Sequence, residues 1–410
     1  MNCCDQPGLM TVEQALERLL AAAQPITDIE TVALMSALGR VLAADQLSTV
    51  DVPPADNSAM DGFALRFADC NADAETTLPI SQRIPAGVVP ESLQLGSAAR
   101  IFTGAEVPPG ADTVVMQEQC KWDDGAVTIN AGIVAGTNIR PRGQDIEKGA
   151  IVLQQGRRLT PQDLGLLASV GIAKLPVYRR LRVAVLCTGD ELVEPGETLI
   201  PGHIYNSNRY MLLGLLQALG FDCVDIGIVA DDPEATEQAL LKAAPEADCI
   251  LSSGGVSVGE EDHVKACVDK LGSLDLWRVA IKPGKPLAYG HVRGVPFIGL
   301  PGNPVSVFVT FAIAARPYLL KTQGASDCSP LTIPVVAGFS RPNSAKRQEY
   351  LRARLVPDDQ GRQRAELAGS QSSGVLSSIC RGDGLLIHKL GEAIAEGDQV
   401  LFLPFPDLLY

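Results

Sequence analysis

The strongest constraint on the fold is the alternation of short apolar runs with helical segments between residues 181 and 320. The apolar runs are LRVAVLCTG, VDIGIVA, DCILSSGG and VPFIGL. Segments with helical spacing lie near 208–219, from 233 onwards, over 261–271 and from Pro304 to about Leu320. Strands that are apolar on both faces and alternate with helices are typical of a parallel sheet covered on both sides. We therefore predict an α/β domain with a doubly wound, mostly parallel sheet.

The 410 residues exceed what one hydrophobic core organises, about 250 to 300 residues, so several domains are expected. Short strand-like runs such as RIFTGA and TVVMQE, broken by Pro and Gly, predict a small β-domain over residues 47–142. Helix signals flank it, with a possible capping box at Thr11 and Gln14 and a cap at Thr160, so the β-domain is interpreted as an insertion. After residue 327, short strands predict a β-barrel or sandwich. The predicted bounds are 8–46 with 143–180 for a discontinuous N-terminal domain, 47–142 for the inserted β-domain, 181–326 for the α/β domain and 327–410 for the C-terminal domain.

The charge and composition exclude several classes of protein. A net charge of −14 argues against a general nucleic-acid binder, because phosphate contacts require clustered Lys and Arg. No apolar run approaches the roughly 18 to 20 residues that span a bilayer, and no signal peptide is evident. The ten cysteines form no C-x-x-C pair, as expected of reduced thiols in a cytoplasmic protein. Residues 181–262 nevertheless carry fifteen acidic and three basic side chains, whereas residues 341–364 carry seven basic and three acidic, so an acidic wall and a basic strip are expected.

Polar clusters follow three of the predicted strands, at the edge of a parallel sheet where ligands collect. The clusters are TGDE at 188–191, Asp231 with Asp232, and SSGGVSVGEED at 252–262. Glycines in the third cluster let the backbone approach a ligand, and the helix N-terminus after it favours phosphate. The same loop can also be a purely structural turn.

Four carboxylates, Asp190, Glu191, Asp231 and Asp262, should lie side by side because their strands are neighbours. Crowded carboxylates repel one another unless they share a cation, so we predict Mg²⁺ held together with phosphate oxygens. The alternative is capping of helix N-termini. Asp232 is interpreted as such a cap, and Glu191 and Asp262 as functional residues.

Two later turns carry the remaining candidate chemistry. KPGKP at 282–286 places Lys282 and Lys285 on a stiff turn and predicts a fixed anion clamp. GLPGNPVS at 299–306 is a strand-to-helix turn in which Asn303 can cap the helix. Its helix end can equally bind phosphate.

Seven motifs in this order resemble the molybdopterin molybdenumtransferase family, called MoeA in bacteria, which includes the E domain of gephyrin. They are DNSAMDGFA (56–64), FTGA (102–105), RGQDI (142–146), TGDEL (188–192), GGVSVGEED (254–262), KPGKP (282–286) and LPGNPVS (300–306). The motifs span most of the chain, and the segment 327–410 matches least clearly. Gln144 stands where Glu is frequent in the family.

The resemblance implies an elongated homodimer with its active site between subunits and a C-terminal β-barrel. The family inserts molybdate into the dithiolene of adenylylated molybdopterin, with Mg²⁺-assisted hydrolysis and release of AMP. Transient contacts with a molybdopterin adenylyltransferase and with downstream cofactor-handling proteins are also implied, but none with nucleic acid or membranes. One alternative is a molybdopterin adenylyltransferase, whose single domain resembles 181–325 and lacks NSAMDGFA. The other is a gephyrin-like scaffold, which the absence of a linker disfavours.

Candidate site residues follow from the residues and from the resemblance together. Catalytic candidates are Asp61, Thr103, Asp145, Glu191, Asp231 and Asp262, of which the first three would reach the other subunit's cleft and the last three would hold the metal. Substrate-binding candidates are Thr188, Gly189, Asp190, Ser253, Gly254, Gly255, Ser257, Gly259, Lys282, Lys285, Pro301 and Asn303. Molybdate candidates are Lys282, Lys285, Pro286, Arg347 and Ser373, with the strip 347–352 and the turn 371–373 completing the pocket. A solvated strand face is the alternative for the arginines, and a turn residue is the alternative for Asp61.

Overall fold

The structure is a computed structural model that describes residues 9–71, 73–255, 263–358 and 360–409. Its centre is a seven-stranded sheet. From one edge to the other, the strands are Leu9–Met10, Gly272–Val279, Pro286–Val292, Val295–Leu300, Cys249–Ser253, Arg182–Thr188 and Asp222–Val229. Neighbouring strands run parallel except in the pairs made by Pro286–Val292, which are antiparallel. The prediction of a mostly parallel sheet is confirmed.

Helices cover both faces of this sheet because strands such as Arg182–Thr188 are apolar on both sides. Val183 and Val185 pack into one core, and Ala184 and Leu186 pack into the opposite core. The first core receives the helices Val12–Ala22, Ser207–Ala218, Pro304–Thr310 and Arg316–Thr322, and the second receives Pro233–Glu246 and His263–Leu271. The doubly wound arrangement is therefore confirmed.

The helical segment Pro304–Thr322 is the one segment, among the described residues, with the length and apolarity to cross a membrane. A π-helical turn, Phe311–Ala315, joins its two α-helical parts. The protein itself buries 94% of its apolar window. It is a core helix, because its apolar side chains already have protein partners.

Two helices begin as their sequences predict. The side chain of Thr11 accepts a hydrogen bond from the backbone N–H of Gln14 at 3.2 Å, and the Gln14 side chain accepts one from the backbone N–H of Thr11 at 3.0 Å. Thr160 is the N-cap residue of the helix Pro161–Ser169, and its backbone N–H and hydroxyl donate hydrogen bonds to the Asp163 carboxylate at 2.9 and 2.8 Å. Both capping predictions are confirmed.

Segments from both sides of the inserted region form one N-terminal unit. The strand Ile29–Ala33 pairs with Lys174–Tyr178, and Gln46–Leu47 pairs with Ile151–Leu153. Leu42 and Leu167 share the core of this unit, together with residues of the 3-10 helix Leu34–Ala37. The discontinuous N-terminal domain is thus held by strand pairing between distant parts of the chain.

The inserted region contains its own six-stranded sheet. In spatial order its strands are Thr113–Met116, Gly62–Leu65, Ala98–Ile101, Thr76–Ile84, Ala126–Ile129 and Cys120–Trp122. At its base, Asn57–Ser58 pairs with Ile139–Arg140, and the 3-10 helices Phe67–Asp69 and Gln117–Gln119 connect strands. This sheet packs around cores of its own, as expected of an inserted β-domain.

The C-terminal region forms a closed barrel of five strands. In order around the barrel they are Gln348–Pro357, Gln363–Leu367, Ile333–Ala337, Gln399–Pro404 and Gly384–His388, and the last pairs with the first. Short helices Ser377–Cys380 and Phe405–Leu409 accompany it. The strand Ile281–Lys282 also pairs with the barrel, which connects the KPGKP turn directly to it.

A buried carboxylate ties the N-terminal unit to the central sheet. Asp248 accepts hydrogen bonds from the guanidinium groups of Arg179 at 2.6 Å and Arg182 at 3.0 Å. Burial alone would raise the pKa of Asp248, but these bonds outweigh it and lower the pKa from 3.8 to about 2. The pair therefore stabilises the fold above pH 3.8, and this contribution is lost as the pH falls towards 2.

We expect Asp248→Asn to lower the free energy of unfolding by about 2 kcal/mol at neutral pH, because the charged form is what the arginines stabilise. The difference from the native protein should shrink as the pH falls below 3.8. Denaturant unfolding at several pH values would measure it. Asp222→Asn, at an exposed position of the neighbouring strand, is the control and should change little. A pH-independent difference for Asp248→Asn would contradict the prediction.

Candidate active site

The carboxyl ends of the central strands open into a cleft between the α/β domain and the C-terminal barrel. Two cavities, of about 580 and 610 Å³, make up this cleft. Both are bordered by Gly254, Gly255, Gly302 and Asn303. Because these four residues line both of them, the two cavities lie side by side.

The first cavity, here called the acidic cavity, is lined by strand ends. The predicted residues in its wall are Thr188, Gly189, Glu191, Asp231, Ser253, Gly254, Gly255 and Asn303. They converge because Arg182–Thr188 pairs in parallel with both Asp222–Val229 and Cys249–Ser253. Asp190 supports this wall, since its carboxylate accepts a hydrogen bond from the backbone N–H of Asp231 at 3.0 Å.

The Glu191 carboxylate lies directly against Gly189. A Cβ atom at Gly189 would come within 2.5 Å of the Glu191 Oε2 atom, and the Gly189 φ is +149°. A larger residue would therefore displace the carboxylate from the cavity wall. The glycine in TGDE is required by this close approach.

Partial burial raises the pKa of Asp231, and the charges of Asp190 and Glu191 raise it further. This crowding is the condition under which a shared cation becomes favourable. Within the described ranges, however, no cluster of three or more His, Cys, Asp or Glu side chains is arranged to hold a metal. Glu191 and Asp231 line the same cavity, while Asp262, Ser257 and Gly259 lie outside the described residues. Two carboxylates are what Mg²⁺ commonly takes from a protein when phosphates supply other ligands.

Asp232 and Asn303 differ in how they meet the helices that follow them. Asp232 accepts a hydrogen bond from the backbone N–H of Ala235 at 2.8 Å, so its predicted capping role is confirmed. Asn303 occupies the cap position before Pro304, but its side chain makes no capping hydrogen bond. Asn303 is therefore the N-cap residue by position, as the sequence indicates, and it also borders both cavities.

Sequence reasoning missed Asn206 and Asn208, which also line the acidic cavity. Asn208 donates from Nδ2 to the Ser253 hydroxyl at 2.9 Å and to the Gly302 carbonyl at 2.6 Å. It therefore joins the loops that follow two different strands. Asn206 is buried and caps the helix Ser207–Ala218. The Asn-Ser-Asn run before a predicted helix was the available signal.

Gly255→Ala should disturb the cavity wall. Gly255 has a φ of +67°, and an added Cβ would meet the Val264 side chain at 2.3 Å. We expect a loss of about 1 to 3 kcal/mol in stability and a several-fold rise in substrate KM, because the backbone must move. Thermal melting and steady-state kinetics would measure both.

Gly302→Ala is the matched control for this substitution. A Cβ at Gly302 would lie 4.0 Å from its nearest neighbour, the Gly254 Cα. It should therefore change both quantities much less. Equal effects of the two substitutions would show that the wall does not depend on the Gly255 conformation.

The second cavity, here called the basic cavity, contains all five predicted molybdate residues. Its lining includes Lys282, Lys285, Pro286, Arg347 and Ser373, together with Pro301, Gln371 and Ser372. Lys285 is exposed and has no acidic partner among the residues that the structure describes. The Arg347 guanidinium donates to the backbone carbonyl of Ile281 at 3.1 Å, which fixes it beside the KPGKP turn. The arrangement suits a small, multiply charged oxyanion.

Arg352 does not face this cavity, which corrects the predicted strip 347–352. It is 1% exposed, and its guanidinium donates to the carbonyls of Ser370 and Ser372, each at 3.1 Å. Its backbone also exchanges hydrogen bonds with the Gln371 side chain. Arg352 therefore braces the loop that carries Ser373. A solvated face is also wrong for Arg352, whereas Arg354 is exposed.

Asp61 and Thr103 meet in the inserted domain, away from both cavities of this chain. The Asp61 carboxylate accepts hydrogen bonds from the backbone N–H of Thr103 at 2.7 Å and from its hydroxyl at 2.8 Å. These bonds lower the pKa of Asp61. Asp145 occupies a separate turn, where its backbone N–H donates to the Val52 carbonyl. Their predicted place beside another subunit's cleft stays a prediction.

Three family models match successive parts of the chain. Residues 10–171 match the MoeA N-terminal region (domain I and II), and residues 334–405 match the MoeA C-terminal region (domain IV). Residues 184–321 match the family described as "Probable molybdopterin binding domain". The three matches together cover the segments that form the cleft.

Full-length relatives and solved structures agree with these matches. The chain is 38% identical over 405 residues to a molybdopterin molybdenumtransferase of Haemophilus influenzae, covering 98% of this chain and 100% of the relative. Identity to the molybdopterin molybdenumtransferase of a Nostoc species is 38% over 389 residues, covering 92% and 89%. The crystal structure of the molybdopterin biosynthesis moeA protein from Pyrococcus horikoshii OT3 superposes with a TM-score of 0.83 at 30% identity, covering 97% and 100%. The similarity therefore extends through the whole architecture.

Proposed function

The chain belongs to the MoeA family of molybdopterin molybdenumtransferases, and from this premise we propose how its cleft carries out the reaction. The protein inserts molybdate into molybdopterin during molybdenum cofactor biosynthesis. We propose that the pterin substrate arrives adenylylated, with its pyrophosphate in the acidic cavity and molybdate in the basic cavity. The observation that carries this proposal is the adjacency of the two cavities, which places the carboxylates of one beside the lysines of the other.

Mg²⁺ fits the acidic cavity by the chemistry of its carboxylates. Glu191 and Asp231 would hold it, with Asp262 as a third candidate, and the crowding that raises the pKa of Asp231 would be relieved. When bound, the ion supplies charge neutralisation and polarisation of the phosphate oxygens. The Gly255 backbone N–H would bind a further phosphate oxygen.

Hydrolysis adds water across the phosphoanhydride, gives AMP and molybdopterin with its own phosphate, and releases one proton. Either of the carboxylates in the cavity wall, Glu191 or Asp231, can accept that proton. Glu191, held against Gly189, has a fixed position from which its carboxylate would bind the ion. Thr188 and Ser253 contribute hydroxyl groups to the same wall.

The basic cavity would hold molybdate until the dithiolene is free to receive it. Lys282, Lys285 and Arg347 supply positive charge against a dianion. Ser373 and the backbone beside Pro286 supply polar contacts of fixed position. Because the cavities share walls, the oxyanion and the phosphate end would lie in the same cleft.

We propose that the protein acts as a cytoplasmic homodimer with its active site between subunits. Asp61 and Thr103 support this arrangement, since they lie in a family motif yet face neither cavity of their own chain. Asp145 would join them from its turn. The substrate would come from a molybdopterin adenylyltransferase, and the product would pass to downstream cofactor-handling proteins, both through transient contacts.

The test is to mix the purified protein with adenylylated molybdopterin, Mg²⁺ and micromolar molybdate. AMP release and molybdenum incorporation should rise together with the molybdate concentration. Formation of the adenylate from ATP and molybdopterin would instead support an adenylyltransferase mechanism for this cleft. The absence of both activities would contradict the proposed use of the two cavities.

A further inference from the structure

The carboxylate of Glu349 lies next to the basic cavity, although its negative charge would repel a dianion bound there. Glu349 is 7% exposed, and its Oε1 atom lies 2.9 Å from the Lys282 ammonium. Its Oε2 atom lies 3.0 Å from the Arg341 guanidinium. Each oxygen therefore has a cation of its own. Burying a carboxylate without cationic partners would cost free energy, and the two cations beside Glu349 offset that cost.

The pairing of two strands brings Lys282 and Glu349 together. Ile281–Lys282 pairs in parallel with the first residues of Gln348–Pro357, and the register places Lys282 opposite Glu349. Lys282 belongs to the α/β domain side of the cleft and Glu349 belongs to the barrel. The ion pair therefore fixes one side chain of the KPGKP turn to the domain across the cleft.

Lys282 lines two neighbouring cavities, so its ammonium group needs a partner that fixes its position. Besides the basic cavity, it lines a neighbouring cavity of about 420 Å³ together with Arg341, Glu349 and His388. Its side chain is 44% exposed, so without a fixed partner its ammonium would sample several rotamers. One N–H of the ammonium is directed to Glu349, which leaves two donors for another ligand.

We propose that Glu349 is a positioning residue for the oxyanion: its carboxylate holds the Lys282 ammonium at the wall of the basic cavity. The inference rests on the proposed molybdate site. Glu349 itself lines the neighbouring cavity and not the basic cavity, so it acts through Lys282. Its negative charge weakens the attraction for a dianion, and the fixed ammonium position outweighs that cost.

Glu349→Gln and Glu349→Asp separate position from charge. Glu349→Gln removes the charge, whereas Glu349→Asp keeps the charge but shortens the side chain and withdraws it from Lys282. If the position of the Lys282 ammonium matters more than the charge of Glu349, both substitutions should raise the molybdate KM about tenfold, with a smaller change in kcat. A tenfold rise corresponds to the loss of one charge-assisted hydrogen bond. If Glu349 acted only through the repulsion between its negative charge and the dianion, Glu349→Gln would lower the molybdate KM and Glu349→Asp would leave it unchanged. Either of those results would overturn the proposal.

Arg341→Gln is the matched control, because it removes the other cation and leaves the pair between Glu349 and Lys282 in place. It should change the molybdate KM less than about twofold. Thermal melting of each variant would show whether the fold is retained. Should Glu349→Gln fail to fold, Glu349→Asp still decides the question, since it keeps a negative charge at this buried position while moving it away from Lys282.

Lys282→Met distinguishes a failure of this inference from a failure of the proposed site. In the Lys282→Met background, Glu349→Asp should have no further effect on molybdate binding measured by equilibrium dialysis. An unchanged affinity in Lys282→Met alone would remove the proposed molybdate site. A weakened affinity in Lys282→Met, with native affinity in both Glu349 variants, would overturn the role of Glu349 alone.

Discussion

Asp231→Asn is expected to slow molybdate-dependent AMP release by roughly 100-fold or more, the scale of losing a metal-assisted and proton-accepting group. The Asp231 carboxylate lines the acidic cavity, and its pKa is raised by partial burial and by Asp190 and Glu191. An amide can neither accept the proton nor carry charge to a cation. The rate should be measured in single turnovers at saturating substrate and Mg²⁺, so that weaker binding cannot account for the loss.

Asp232→Asn is the matched control, one residue along the chain. Asp232 caps the helix Pro233–Glu246, and Asn caps helices about as well as Asp, so both stability and rate should be nearly unchanged. Glu191→Gln adds a second comparison. A variant that loses Mg²⁺ affinity identifies a metal-holding carboxylate, and one that loses rate at saturating Mg²⁺ identifies the proton acceptor. Native rates in Asp231→Asn would place the chemistry elsewhere in the cleft.

The central domain could be predicted from the sequence because its pattern is local and repeated. The strand Arg182–Thr188 is apolar from Val183 to Cys187, and only a sheet covered on both sides buries both Val183 and Ala184. The same topology places strand ends together, so Glu191 and Asp231 could be expected in one cavity. Helix caps at Thr11 and Thr160 involve residues a few positions apart, and they too could be predicted.

Contacts between distant segments could not be predicted in this way. Arg352 lies two residues before the exposed Arg354 in a strand rich in charged residues, but closure of the barrel and the loop 370–373 bury it. Asn208 joins two loops, and Glu349 meets Lys282 only because the barrel pairs with the KPGKP turn. Such pairings depend on how domains meet, for which one sequence gives no local pattern. The excess of acidic residues in the sequence predicted the acidic wall, but it did not predict which partner each charged side chain would have.

Lys285→Met is expected to raise the molybdate KM by about 10- to 100-fold, the equivalent of one lost charge-assisted hydrogen bond to a dianion. Lys285 lines the basic cavity and, within the described part of the chain, no acid neutralises it, so its charge is available to an incoming oxyanion. Lys282, in contrast, shares its charge with Glu349. Met preserves the length and apolar stem of the side chain, so the loss should reflect the ammonium alone.

Two substrate titrations decide which anion Lys285 serves. Molybdate should be varied at saturating adenylylated molybdopterin, and the pterin substrate at saturating molybdate, in native protein, in Lys285→Met and in Lys389→Met. Lys389 is exposed and borders neither cavity, so its replacement controls for the general loss of a surface charge. A rise confined to the molybdate KM supports the oxyanion site. A rise confined to the pterin KM would show that the basic cavity holds a phosphate of the nucleotide, and molybdate would then have to bind at another place in the cleft.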